Sequence, residues 1–194
     1  LALAGSGSTQ KGENDNTAVA GSVGVNVIIA NTDAKIADDA TVTTLSGDVD
    51  ITARQDIGVQ NIAGGGALTL SDSGTSVGAA VGVNVVDNTT TADIGAGSTI
   101  NSASSIFVLA DASITPLEIV APILNETGVD VTTLVAGAAI GSGGDAGAGS
   151  ASINVFTSVT QATIGSGAVI TAAGDVFVRA LDDTEIINFA GALA

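Results

Sequence analysis

The chain of 194 residues contains no cysteine and no histidine. The absence of cysteine excludes disulfides and thiolate sites, so in a secreted protein packing alone would have to stabilise the fold. Without either residue type, most zinc, copper and haem chemistry is excluded as well. We therefore expect no cofactor.

Aromatic residues are also scarce, with four Phe, no Trp, no Tyr, and no Met to complement them. Globular enzyme cores normally use aromatic bulk to fill irregular space. Hydrophobic residues still make up 45% of the chain, and almost all of them are Ala, Val, Ile and Leu. Small, repeated side chains suit thin stacked layers and suit an ordinary globular core poorly.

Basic residues number only 4 against 20 acidic ones, which gives a net charge of −16. Such a surface repels nucleic acid and attracts cations or basic partners, and it also keeps a β-rich protein from associating edge to edge. The longest apolar runs are far below the roughly 18 residues of a membrane helix. We expect no nucleic-acid partner and no membrane span. Because the chain starts at Leu1 without a signal sequence, we expect it to be a piece of something longer.

One sequence pattern occurs three times, in residues 21–53, 76–110 and 149–180. Two columns of equivalent residues define the alignment: Asn26, Asn84 and Asn154, then Ile36, Ile94 and Ile164. Columns held by one residue type, with free variation between them, indicate a structural repeat. We expect both columns to be stacking positions. The second copy of the asparagine is closer in sequence to the first than to the third, because the second repeat carries an insert.

Within each copy, apolar residues alternate with other residues. Val23, Val25 and Val27 are separated by Gly24 and Asn26, which is the period of two expected of a half-buried strand. Val, Ile and Thr are common, whereas helix formers such as Glu, Lys and Gln are scarce. The sequence predicts an all-β chain.

A repeat of about 58 residues divides into three coils of roughly 19, and we predict a parallel β-solenoid of about ten coils. Val and Ile would stack on its inner face. The asparagines would either form inward amide ladders or lie at the surface. The alternative architecture is a β-sandwich. The prediction is one domain, 1–194, with repeats at about 18–73, 76–145 and 146–194.

Two inserted loops interrupt the repeats. Residues 8–17 form a polar loop, and residues 111–127 hold Pro116 and Pro122, which cannot donate to a ladder. The second insert either covers the protein's own flank or makes a lateral contact to a neighbouring chain. The candidate contact residues are Leu117, Ile119, Val120, Ile123 and Leu124.

Residues 81–95, VGVNVVDNTTTADIG, are followed after a short turn by SIFVLA, and the third copy has DVFVRA at the same place. This combination resembles the repeats of giant bacterial adhesins of the filamentous-haemagglutinin type. The resemblance implies a right-handed parallel β-helix outside the cell, which presents or spaces regions that bind a host-cell, surface or matrix ligand. It identifies no ligand and no catalytic residue.

Acidic residues could in principle provide catalysis, since some β-helices act on polysaccharides. Of the closely spaced carboxylates, only Asp48 and Asp50 can share a face of a strand, and no cluster of basic residues accompanies them. Asp and Asn oxygens at turns suit calcium, but the β-roll nonapeptide is missing and residues 143–145 (GGD) are its nearest fragment. We expect no enzyme and only weak, incidental calcium binding.

Two functions remain open for an extracellular or cell-surface rod of this kind. One is a structural segment within a long fibre or adhesin. The other is a filament subunit that joins further copies head to tail through uncapped ends. A polysaccharide-acting β-helix is the remote alternative.

Overall fold

The computed structural model describes residues 2–8, 17–70, 73–121 and 126–194, and within these ranges the chain forms fourteen strands and no helix. The predicted polar loop, 8–17, lies outside the described residues except at its two ends, where Ser8 closes the first strand and Thr17 opens the second. The strands are β1 (Ala2–Ser8), β2 (Thr17–Ile36), β3 (Thr41–Thr43), β4 (Val49–Val59), β5 (Asn61–Thr69), β6 (Thr75–Ile94), β7 (Thr99–Ser102), β8 (Ile106–Ala121), β9 (Glu126–Val131), β10 (Thr133–Gly141), β11 (Ala146–Ile164), β12 (Val169–Ala172), β13 (Val176–Thr184) and β14 (Asn188–Leu193).

Four parallel sheets are built from these strands. The long sheet contains β2, β6 and β11, and the short sheet contains β3, β7 and β12. The other two sheets lie at opposite ends of a tapered cross-section and are named for those ends. The wide-end sheet contains β4, β8 and β13, and the narrow-end sheet contains β1, β5, β10 and β14. The chain visits the long, short, wide-end and narrow-end sheets in that order three times. The prediction of an all-β fold with parallel sheets is confirmed, and the arrangement is consistent with a β-solenoid.

The register of the strand pairs shows how many layers each repeat adds to the stack. Asn26 pairs with Asn84, and Asn84 pairs with Asn154. Equivalent residues of consecutive repeats are therefore direct neighbours in a sheet, so each repeat supplies one layer. The expected count of about ten coils is therefore wrong. Because the strands are up to 20 residues long, one coil contains a whole repeat and not a third of one.

Each layer is flat, because the long strand lies opposite two shorter ones. β2 contacts β4 along one part of its length and β5 along another. Two sheets thus face each other across a thin interior, which is a feature of the β-sandwich alternative. Parallel pairing inside each sheet distinguishes the two architectures, since sandwich strands pair antiparallel.

The interior is thickest beside the short sheet, where branched aliphatic residues fill it. The fully buried branched residues of this core in the middle layer are Ile94, Ile100, Ile106 and Val108. The other end holds mainly small residues, such as Ala18, Ala20 and Ala67, and Val135 is buried there beside Ala63 and Ala80. The cross-section therefore tapers from the wide end to the narrow end.

Glycine sets the thickness of the narrow end. A Cβ added to Gly65 would lie 2.1 Å from the carbonyl oxygen of Ala79, and one on Gly78 would lie 1.9 Å from that of Ala138. Real Cβ atoms do not approach backbone so closely, because van der Waals contact begins near 3.4 Å. The facing backbones can pack this tightly only without side chains at these positions.

The valines of the first half of β2 face outward. Val23, Val25 and Val27 are each about 60% exposed, whereas Gly24 between them is buried. The expectation that Val would stack on the inner face is therefore wrong for this half of the strand. The taper is the physical reason, since the narrow interior is filled mainly by glycine, alanine and short polar side chains and has no room for a valine in every layer.

The predicted insert begins later than expected. β8 stays in register with β4 as far as the pair Val59 and Pro116, so residues 111–116 belong to the stack. The segment that leaves the stack lies between Pro116 and Thr133. In it, β8 continues to Ala121 and pairs antiparallel with β9. In the first layer the single residue Gln60 makes the same connection. Pro116 is tolerated because the pairing of β8 with β13 has already ended at Ile114.

Candidate functional site

The asparagine column points into the stack. Asn84 in the middle layer is completely buried, and Asn26 and Asn154 in the outer layers are half-buried. Nδ2 of Asn84 donates to Oδ1 of Asn154 over 2.8 Å. Asn26 instead donates to the carbonyl oxygen of Gln60 over 2.7 Å. The amide ladder therefore has one rung among these residues, between the second and third layers.

A break between two strands explains why this column is polar. Gln60 is the residue between β4 and β5, where the chain leaves one sheet for the next. Its carbonyl oxygen accepts from Asn26. From the facing sheet, Nδ2 of Asn61 donates to the carbonyl oxygens of Gly24 and Val83 at 3.0 and 2.9 Å. These amides satisfy buried backbone groups that would otherwise cost free energy.

The middle layer uses a hydroxyl at the equivalent facing position. Thr133 is in register with Asn61. Its Oγ1 accepts from Nδ2 of Asn84 at 2.6 Å and donates to Oδ1 of Asn154 at 2.8 Å. Asn84 Oδ1 is buried without a hydrogen-bond partner among the described residues. We call this group of Asn26, Asn61, Asn84, Thr133 and Asn154 the polar waist.

The isoleucine column lies in the thick part of the interior. Ile36 pairs with Ile94, and Ile94 pairs with Ile164. Ile94 is fully buried, while Ile164 in the last layer is 36% exposed. The column thus forms part of the core, and its burial depends on having a layer on both sides.

A second polar cluster lies on the exposed inner face of the last layer, and the sequence did not single it out. The carboxylate of Asp182 accepts hydrogen bonds from the hydroxyls of Ser158, Thr160 and Thr184. Partial burial raises the pKa of the Asp182 carboxyl, but the three hydroxyls lower it by more, so its pKa lies below its ordinary value. Ser158 and Thr160 are in register with Asn88 and Thr90. These polar residues at equivalent positions of two repeats are the feature of the sequence from which the cluster could have been found.

Acidic residues at the turns bind the next layer along the stack. Oδ1 of Asp38 accepts from the backbone N–H of Ala96 at 3.1 Å, and Oδ1 of Asp48 accepts from that of Ser105 at 2.8 Å. Hydrogen bonds from the Ser104 side chain and the Ser105 backbone lower the pKa of Asp48. Asp48 therefore has a structural partner in the next layer, whereas Asp50 lies in β4 on its exposed face.

Of the predicted lateral-contact residues, Leu117 is the one whose side chain is described. It is 46% exposed and lies against the protein's own flank: a Cβ on Gly58 would be 2.7 Å from Cδ2 of Leu117. Its carbonyl oxygen accepts from Nε2 of Gln60 at 3.2 Å. The side chains of Ile119, Val120, Ile123 and Leu124 lie outside the described residues.

An aromatic pair marks the outer surface of the wide-end sheet. Phe107 and Phe177 are neighbours in register, and their rings stack with centroids 5.0 Å apart. Beside them, Arg54 forms a 3.2 Å ion pair with Asp111. Exposed ion pairs contribute little to stability, so this surface mainly adds contacts between layers.

Neither a metal centre nor a membrane helix is present in the described ranges. No three His, Cys, Asp or Glu residues of those ranges are grouped closely enough to hold a metal ion. Over the same part of the chain, no helix is long and apolar enough to cross a membrane. No family model matches the chain, and neither does any curated protein or solved structure with which it was compared.

Proposed function

We propose that the chain is a structural, non-catalytic segment of a secreted or cell-surface fibre, in which stacked β-solenoid layers form a rigid rod. Residues that recur in columns lie one above another, and the turns of one layer bind the backbone of the next. The resemblance to filamentous-haemagglutinin-type adhesin repeats supports an extracellular location. Its partners would then be further copies of the same repeat and a host-cell, surface or matrix ligand.

The observation that carries the proposal is the open interior of the last layer. Ile94 is completely buried in the middle layer, but the equivalent Ile164 is 36% exposed and Val176 is 45% exposed. β11, β12 and β13 form the outer edges of their sheets, with backbone groups available on one side. A further layer with the same tapered cross-section would cover these side chains and pair these edges.

The alternative is a filament of separate copies joined head to tail, and the same open interior favours it. In a filament, the exposed edges of β11, β12 and β13 would pair with strands of the next copy. Both functions use these edges, so they differ in whether separate copies associate.

A tandem protein tests the proposal. Residues 17–194 would follow residues 1–194 through a copy of the linker LSDSG, which joins β5 to β6 at residues 70–74. If the layers continue, the second β2 pairs with β11, and the tandem protein unfolds at a higher urea concentration than the single chain. Hydrogen exchange of the β11 amides should slow at the same time.

A tandem protein with a flexible linker of about 30 Gly and Ser residues is the matched control, because its halves can separate. The proposal fails if the short-linked tandem unfolds at the same urea concentration as the single chain. Electron microscopy of the single chain addresses the alternative. Open-ended fibres would support the filament, and particles of one fixed length would contradict it.

A further inference from the structure

The outer surface of the long sheet changes character along its strands. In the first half, nine outward positions in three consecutive columns are all aliphatic. We call them the valine face: Val23, Val25, Val27, Val81, Val83, Val85, Ala151, Ile153 and Val155. On β2 they are about 60% exposed, and Ile153 and Val155 are 52% and 49% exposed. Val19 continues the apolar surface at one side, where its column holds Val77 and Gly147, whereas at the other side the column of Ile29 holds Asp87 and Thr157.

The second half of the same strands provides an internal comparison. Its outward columns hold Asp33, Thr91 and Gln161, followed by Lys35, Asp93 and Thr163. Threonine satisfies the preference of a strand for β-branched residues as well as valine does. Strand formation alone therefore does not require the aliphatic residues of the first half. An exposed apolar surface of this kind indicates a contact.

We propose that the valine face packs against the valine face of a second copy, so that two stacks lie side by side. The chain has a net charge of −16, and two copies repel each other wherever their carboxylates meet. The nine positions of the valine face carry no charge. A second copy can approach there without bringing carboxylates together, and it offers an equally flat aliphatic sheet.

The size of the surface fits a weak, reversible pair. The three columns of the valine face extend about 20 Å along the strands, and three strands span about 14 Å. Each copy would bury on the order of 300 Å², which is the size of a weak, transient contact and below that of a stable interface. Two sheets in such a pair would lie about 10 Å apart.

Charge also determines the orientation of the pair. Asp87, Asp33 and Asp93 all lie on the outer surface beyond the valine face, in the second half of the strands. Parallel packing would place Asp87 and Asp93 of β6, the middle strand of the sheet, over their equivalents in the partner. In antiparallel packing about a two-fold axis near Val83, the two valine faces cover each other. The acidic second halves of the strands then lie at opposite ends of the pair. The two copies then contact each other through the same residues.

Sedimentation equilibrium over a range of chain concentrations tests the association. We expect a monomer–dimer equilibrium that stops at two copies and strengthens when NaCl is raised from about 0.05 to 0.5 M, since salt screens the repulsion. The variant Val25→Thr/Val83→Thr/Ile153→Thr should weaken the association about tenfold or more, because the hydroxyls must be desolvated. Leu45→Thr, at a 96% exposed turn, is the matched control and should leave it unchanged.

A single introduced cysteine tests the orientation, because the chain has none of its own. A short bismaleimide should cross-link the Val83→Cys variant into dimers. The Thr89→Cys variant should stay monomeric, since Thr89 is six residues along β6 and its equivalent in an antiparallel partner would be about 40 Å away. Equal cross-linking of both variants would contradict the antiparallel pair.

Other outcomes overturn the proposal itself. They are a single-chain mass at every concentration, an association that weakens with salt, and one that the three threonines do not affect. Head-to-tail assembly is distinguishable, because it would give open-ended polymers and would not respond to substitutions on the valine face. A face that binds a basic protein but not a second copy would likewise contradict the proposal.

Discussion

Asn84 donates a hydrogen bond from Nδ2 to Oδ1 of Asn154 over 2.8 Å, although 70 residues separate them in the chain. The two side chains lie in adjacent layers at the break between the wide-end and narrow-end sheets. Thr133 bonds to both of them. The polar waist therefore connects layers and facing sheets at the point where each layer changes sheet.

Substitution of Asn84 tests the contribution of the polar waist. Asn84→Ala removes a fully buried donor and leaves its partners with fewer hydrogen bonds, so we expect a loss of about 1–3 kcal/mol in the free energy of unfolding. Urea denaturation measures it. Asn31→Ala on the exposed face of β2 is the control and should change the stability by less than about 0.5 kcal/mol. Equal effects at both positions would contradict a structural role for the waist.

Adjacent glycines in β5 provide a matched test of the narrow end. Gly65→Ala places a methyl group 2.1 Å from the carbonyl oxygen of Ala79 and should destabilise the protein by about 1–3 kcal/mol or more. Gly66→Ala meets nothing within 4 Å and should be neutral or stabilise by about 0.5 kcal/mol. Thermal unfolding of the two variants compares them directly. If both are neutral, the facing backbones are further apart than described.

The order of the strands and their register were predictable because they depend on which residues recur. Asn26, Asn84 and Asn154 align in the sequence and pair in the structure. The size of the coil was misjudged, because the division of each repeat into three coils assumed short strands. The alignment alone could not decide between one coil and three, since a column recurs once per repeat in both cases, and only the register in the structure shows one layer per repeat.

The inner and outer faces could not be assigned from alternation alone. Val25 and Asn26 alternate in a way that allows either residue to face inward. Ordinary hydrophobic patterning favours valine inside, and the structure has asparagine inside. The decision depends on the distance to the facing sheet, which Gly65 and Gly78 set from other strands. Such a distance is a property of the assembled layer and not of a single strand.

The isoleucine column predicts a gradient of stability along the stack. Ile94→Ala leaves a cavity in the fully buried middle layer and should cost about 2–5 kcal/mol. Ile164→Ala in the last layer should cost about half of that or less, because this side chain is already 36% exposed. Urea unfolding of the two variants gives the comparison, and the ratio should approach one in the tandem protein, where Ile164 gains a neighbour. A ratio of one in the single chain would be inconsistent with an open last layer.

The Asp182 carboxylate predicts a dependence of stability on pH. Because its folded-state pKa is lowered, the charged form stabilises the fold at pH values above the unfolded-state pKa of about 3.9, and this contribution is lost as the pH falls through the folded-state value. Asp182→Asn should therefore be less stable than the parent chain at pH 7. The difference should shrink as the pH falls below about 4, where the parent loses its charge too.

Urea unfolding of both proteins between about pH 7 and 2.5 measures this difference. Asp183→Asn is the control, because Asp183 follows in the same strand with its side chain on the opposite face. A difference for Asp182→Asn that stays constant down to the lowest pH would show that the three hydroxyls stabilise the charged and neutral forms equally. The carboxylate would then be a space-filling acceptor in the open layer, and its charge would contribute nothing to holding Ser158, Thr160 and Thr184 together.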